Sequence, residues 1–297
     1  MSRKNKATPR ILFVLSLFFF ALLLSVGSCL IFPNISLLKK GNIAKTSFME
    51  YREDEWRRTG KTIRIRQTWT PLSRISPYLV KAVLISEDDK FWKHEGFDFE
   101  AIQKAVERDL RERKLRFGAS TVTQQLAKNL YLTPSKNPLR KVKEAILTWR
   151  LERELPKKRI LELYLNVAEW GEGIFGIEEA ARHYYGKPAS ALGPGESARL
   201  ASVLPNPRRF NPLGSSRYIE SRSRIIYAIM VKRGIVIPAY EEVMRHPETD
   251  AALQEGREAE RGARPGGSPP VSPGGSLPES PRDNEEFPLH PPGGASF

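Results

Sequence analysis

Three acids in a row, Glu87-Asp88-Asp89, end an apolar stretch in which Leu79, Val80, Val83 and Leu84 recur at helical spacing, and His94 and Gly96 close the segment. Neighbouring carboxylates repel, and crowding or burial raises the pKa of at least one of them. A carboxylate poised near neutrality is what a general base needs. The plainer alternative is a solvated helix end. A second block, Gly118-Ala119-Ser120-Thr121-Val122-Thr123-Gln124-Gln125-Leu126-Ala127-Lys128-Asn129-Leu130, opens like a helix. Thr121 and Gln124 match a capping box, and Val122, Leu126 and Leu130 form an apolar stripe. That pattern leaves Gln125 and Asn129 on one face, and Gln124 and Lys128 on another. Amides and an ammonium near a helix start suit a polyhydroxylated or phosphorylated ligand.

Three further blocks are less specific. In Arg140-Lys141-Val142-Lys143-Glu144 the arginine and glutamate stand four apart. An exposed helix pair would account for that spacing. The functional alternative has Arg140 and Lys141 gripping a diphosphate, with Glu144 as a second carboxylate. Lys157-Lys158-Arg159 begins a helix whose core face is Ile160, Leu161, Tyr164 and Leu165. Cations at a helix N-terminus oppose the dipole, and a bound anion would remove the conflict. Arg199 to Pro207 looks like a core helix stopped by prolines.

The elements that must carry these residues are mainly helical. Gly and Pro punctuation predicts helices near 77–86, 98–115, 121–131, 138–154, 157–168, 174–184, 195–204, 217–233 and 238–245, and no alternation lasts long enough to define a sheet. Residues 11–32 carry no charge and are long enough to cross a bilayer. Arg3, Lys4, Lys6 and Arg10 precede them, so residues 1–10 read as a cytoplasmic tail and 11–32 as a signal anchor, with the rest outside. Lys39, Lys40 and Lys45 weaken that orientation without reversing it. Cys29 is the single cysteine and excludes an intramolecular disulfide. Its Val26-Gly27-Ser28 neighbours offer a lipidation box as the alternative to a membrane helix. Residues 33–70 read as a polar stalk with Trp56 and Trp69 as interfacial anchors, 71–248 as the catalytic domain, and the Pro/Gly-rich 249–297 as disordered. The net charge of +14 calls for an anionic partner. For an external, membrane-anchored domain that means anionic lipid rather than nucleic acid.

In this order the five blocks resemble the signature motifs of the bacterial peptidoglycan glycosyltransferases, glycosyltransferase family 51. Glu-Asp-x-x-Phe-x-x-His-x-Gly fits 87–96, Gly-x-Ser-Thr-x-Thr-Gln-Gln fits 118–125, Arg-Lys-x-x-Glu fits 140–144, and Lys-x-x-Ile-Leu-Glu-x-Tyr-Leu-Asn fits 157–166. No Ser-x-x-Lys of a penicillin-binding transpeptidase follows, so the likeness is to the monofunctional members. The resemblance implies a mainly α fold, a lysozyme-like helical domain with a small membrane-proximal lobe behind one transmembrane helix, in the bacterial inner membrane with the catalytic part on the periplasmic side. It implies polymerisation of lipid II into linear glycan strands, with Glu87 as general base and undecaprenyl diphosphate displaced with inversion. Lys128, Arg140 and Lys141 would meet the diphosphate, Glu144 would orient one of these cations or a substrate hydroxyl, and Gln124, Gln125 and Asn129 would bind sugar. Asp88, Ser120 and Thr121 complete the substrate-binding set it implies, and His94 is expected to be a structural hydrogen-bonding residue. No cofactor is required on this reading, no His/Asp cluster announces a metal, and a divalent cation (Mg or Mn) would sit on the diphosphate. Lipid II, the growing strand and the membrane are the partners, with other wall-synthesis proteins as further candidates. The rival readings are a lysozyme-like lytic muramidase and a membrane-tethered protein that binds anionic wall polymer without catalysis.

Overall fold

The computed structural model describes residues 7–112, 119–134 and 137–237. Helix α1 (Ala7–Gly27) runs into a short 3-10 turn at Ser28–Leu30. It leaves Phe13, Leu17, Phe19, Phe20, Leu23 and Leu24 exposed. Among the described residues one segment, Phe19–Lys39, is long and apolar enough to cross a membrane, with a mean hydropathy of 2.0. It overlaps the expected span at 11–32.

Residues 33–70 are not a stalk. Ile35 is fully buried, and helix α2 (Ser47–Arg58) follows, started by Thr46, whose Oγ1 accepts the Met49 N–H at 3.1 Å. Met49 and Trp56 lie on one face of α2 and pack with Phe175, under Phe48, Ile63 and Ile65. Trp56 is thus a core residue and not an interfacial anchor, while Trp69 is half-buried beneath the Arg159 guanidinium. The charges that dominate α2 hid its two anchors.

The helices that follow are α3 (Pro77–Glu87), α4 (Phe99–Glu112), α5 (Val122–Tyr131), α6 (Pro138–Glu154), α7 (Lys157–Val167), α8 (Ile177–Tyr185), α9 (Pro194–Val203) and α10 (Arg217–Lys232). This is the mainly α architecture expected, with boundaries shifted by a few residues at most. The helix expected at 238–245 and the tail at 249–297 lie outside the described residues. Helices α3 and α9 pack together, as α5 does against α6 and α7.

A small sheet was not expected. Strands β1 (Arg66–Gln67), β2 (Glu169–Gly171) and β3 (Ile174–Phe175) run in the order β1-β3-β2, with β1 parallel and β2 antiparallel to β3. Strands of two or three residues show no period. They also delay the start of α8 from the expected residue 174 to Ile177, behind Gly176 at φ +80°. A Cβ there would stand 2.8 Å from the Asn166 carbonyl oxygen, so this approach requires glycine. Asn166 is fully buried: its amide exchanges hydrogen bonds with both backbone groups of Thr70, at 2.8 Å each, tying the chain beyond β1 to α7.

Helix α6 also meets the end of α1. Lys143 Nζ donates to Ser25 Oγ at 2.7 Å and Arg150 Nη1 donates to the Cys29 carbonyl at 3.0 Å. The chain divides into two compact units, one holding Met1–Ile229 and another beginning at Met230. The described part of the second is the last turn of α10 and its exit through Gly234 at φ +66°.

Candidate active site

Glu87 is the last residue of α3, and its carboxylate is held from two sides. Gln125 Nε2 donates to Oε2 at 2.9 Å, and the Gln125 Oε1 accepts the Tyr164 hydroxyl at 3.1 Å. On the other side Ser86 Oγ donates to Oε1 at 3.0 Å, and Arg222 Nη2 lies 3.5 Å from the same oxygen. Burial, with the nearby charges of Glu87 and Asp88, pushes the Tyr164 phenol far above its ordinary range, so it remains a donor.

The three acids do not crowd one another. Asp88 turns inward: His94 Nε2 sits 2.7 Å from Oδ1, and the Val122 N–H donates to Oδ2 at 2.9 Å. His94 Nδ1 accepts the Gly96 N–H at 3.1 Å, which places the ring proton on Nε2, pointing at Asp88. Asp89 faces solvent. Separate partners divide the cluster.

Several residues expected to touch substrate are committed to the protein. Asp88 fixes the start of α5 through Val122. Thr121 Oγ1 donates to the Gly96 carbonyl at 2.7 Å, and its N–H donates to Gln124 Oε1 at 2.9 Å, completing the capping box. Gln124 is buried in that box, and Asn129 is also buried. Gln125, half-buried, donates to Glu87. Ser120 is exposed just before the cap. The clamp from Asp88 through His94 to Gly96 and Thr121 locks the first two sequence blocks into one unit, which is why both are needed to build one carboxylate.

The cationic half is built on α5 and α6. Glu144 is only 3% exposed, so its pairing with Arg140 is no surface contact. Arg140 Nη1 donates to Oε2 at 3.2 Å and Lys141 Nζ to Oε1, so both oxygens hold cations in place. Lys128, half-buried on α5, completes the group. Burial pushes its pKa down, Arg140 and Lys141 push the same way, and Glu144 and Glu87 oppose them. One ammonium thus stands in the fields of both carboxylates and links the two halves of the site. Three cations around one buried carboxylate leave excess positive charge, the arrangement a diphosphate would fill.

The basic start of α7 needs no anion. Lys157 pairs with Glu152 at 2.7 Å and lies over the Phe91 ring; Arg159 pairs with Glu162 and donates to the Leu38 carbonyl at 2.8 Å. Arg199 holds the loop after α9 by donating to the Gly214 carbonyl at 2.6 Å. Among the described residues no group of three or more His, Cys, Asp and Glu is placed to hold a metal ion. Glu144, the carboxylate beside the cations, already serves Arg140 and Lys141. That donor set does not fit an Mg or Mn ion.

Sequence reasoning missed Arg222 and the hydroxyl of Tyr164. Tyr164 was placed on a core face, correctly, but its phenol reaches the site. Arg222 lies on the buried stripe of α10 with Ile219, Ser223 and Ile226. An arginine at an apolar-stripe position was the available signal.

Comparison with known proteins gives concordant results. The family model described as Transglycosylase matches residues 56–231. A biosynthetic peptidoglycan transglycosylase of Aromatoleum aromaticum is 50% identical over 191 residues, which cover 63% of this chain and 83% of that protein. A protein of the same description from Azoarcus sp. is 48% identical, covering 69% and 89%, and one from Nitrosospira multiformis is 43% identical, covering 73% and 94%. The match begins at residue 56, fifteen residues before the expected boundary at 71 and inside the helix once expected to be stalk.

Proposed function

The chain belongs to the transglycosylase family, and on that premise we propose that it polymerises lipid II, the undecaprenyl-diphosphate-linked disaccharide pentapeptide, into linear glycan strands of peptidoglycan. The observation that carries the reading is the pairing of one oriented carboxylate, Glu87, with a cationic cradle of Lys128, Arg140 and Lys141 linked to it through the field of Lys128.

In this reaction Glu87 takes the proton from the 4-hydroxyl of the acceptor GlcNAc. The oxygen forms a bond to the anomeric carbon of the donor MurNAc, the bond to the diphosphate oxygen breaks with inversion, and undecaprenyl diphosphate leaves. Direct displacement needs one base and no covalent nucleophile, by the logic of inverting glycosidases. A diphosphate departs as an anion, so fixed positive charge serves it where a proton donor would serve a sugar leaving group. Lys128, Arg140 and Lys141 supply that charge, and Glu144 holds the last two against one another's repulsion. Ser120, exposed beside the cap, is a candidate for a polar contact to substrate. Helix α1 would anchor the enzyme in the inner membrane with this site outside, where the lipid-linked substrate is found.

Incubating the purified full-length protein with labelled lipid II tests the reading. Glycan polymer is the expected product, in chelator as in added Mg or Mn. Anhydromuramic or reducing ends released from mature wall, with no polymer from lipid II, would replace the reading with a lytic muramidase.

A further inference from the structure

We propose that Arg222, outside every sequence block discussed above, is a positioning residue for the base; the inference rests on Glu87 being that base. Glu87 ends α3, and the last carbonyls of a helix lack intrahelical partners. Arg222 Nη2 reaches across from α10 and donates to the Ser86 carbonyl at 3.2 Å and to Ser86 Oγ at 2.9 Å. Ser86 Oγ donates in turn to Glu87 Oε1, which Arg222 itself approaches at 3.5 Å. One guanidinium thus fixes the backbone that carries Glu87, the hydroxyl beside it and one of its carboxylate oxygens. Both side chains are nearly buried, at 7% and 9% exposure, so water neither competes for these bonds nor replaces them.

The two oxygens of Glu87 are held by groups of different kinds. Oε2 has the neutral amide of Gln125, itself oriented by Tyr164; Oε1 has a permanent cation. When Glu87 accepts the hydroxyl proton its charge disappears, and the Gln125 contact alone gives little reason to keep one rotamer. Arg222 keeps the backbone in place through Ser86 whether or not Glu87 is charged, so the carboxylate returns to one orientation each turnover. Arg222 lies behind Glu87 and acts through it, so its loss is expected to affect the chemical step and not substrate capture.

The test is steady-state kinetics of full-length Arg222→Ala and Arg222→Lys on lipid II, with thermal melting alongside. Displacing a reacting group slightly costs on the order of 10- to 100-fold in rate. That loss is expected in kcat for the alanine variant with KM little changed, with partial restoration by millimolar guanidinium and in the lysine variant. If the alanine variant fails to fold, the lysine variant decides by the same split between kcat and KM. A kcat near the wild-type value overturns the proposal, and so does a loss confined to KM, which would make Arg222 a substrate contact. These outcomes are read only against an active wild type. Wild-type protein that makes no polymer overturns the substrate reading instead.

Discussion

Glu87 earns its proposed role from its neighbours. Gln125 and Ser86 already donate to the carboxylate, so Glu87→Gln places an amide among donors and removes the proton acceptor without emptying the space. The variant is expected to melt and bind lipid II much like the wild type, while polymerisation falls by on the order of 10² to 10⁴. Near-normal turnover would move the base elsewhere, with Glu144 the next carboxylate to examine. Lys128 makes a pH prediction. Its pKa lies below that of an ordinary lysine, so on raising the pH it loses its charge earlier than an exposed lysine would. Affinity for a diphosphate, present while Lys128 is protonated, should therefore decline as pH rises through that lowered value. Lys128→Arg stays charged throughout, and the KM for lipid II of that variant should lose this alkaline rise. An unchanged alkaline limb would show that Lys128 does not meet the diphosphate.

At the scale of elements, what could be read from the chain depended on how much of its signal was local. The capping box of α5 and the runs that became α3, α6 and α7 announced themselves within a dozen residues. Arg222 could not, because its partners Ser86 and Glu87 lie more than a hundred residues away, and only packing of α10 brings them together. Glu87 and Gln125, from separate sequence blocks, meet in the fold, whereas Asp88, Thr121 and Gln124 bond to the protein around them. A hydrogen-bonding residue in a dense motif looks the same whether it faces a ligand or the next strut. Helix α2 was missed for another reason: nine polar or weakly apolar residues surround Phe48, Met49 and Trp56, the three that meet the core. Trp56→Ala tests that correction. Emptying a fully buried aromatic site typically costs about 3–5 kcal/mol, and denaturant unfolding should show a loss in that range. A change under about 0.5 kcal/mol is what an exposed stalk residue would give.

For the molecule as a whole, the question is what α1 contributes. Ile35 is buried and Arg159 donates to the Leu38 and Gly41 carbonyls, so the catalytic body begins before residue 40. A protein beginning at Pro33 should fold and polymerise lipid II in detergent, whereas one beginning at Gly41 should melt lower because it lacks Ile35. With α1 as the proposed anchor, the Pro33 form should be slower than the full chain on intact membranes, because nothing then concentrates it there. Equal rates on membranes would mean that the basic surface suffices for docking.

The contacts between α6 and the end of α1 have a consequence for which substrates can be reached. Lys143 and Arg150 grip Ser25 and Cys29 from points seven residues apart on α6, a separation of about 10 Å along the helix. Arg140 and Lys141 stand within one turn of Lys143, which itself reaches Ser25 in the last turn of α1. With α1 seated in a bilayer, α6 becomes a depth gauge. On the proposed reading it would hold the cradle near the depth at which a lipid's own diphosphate emerges, and the donor would not have to be lifted out of its leaflet to be gripped. Enzyme and donor would then meet by sliding in a plane instead of searching a volume. A sugar diphosphate on a long hydrophilic spacer would ride too high, however well its chemistry matched.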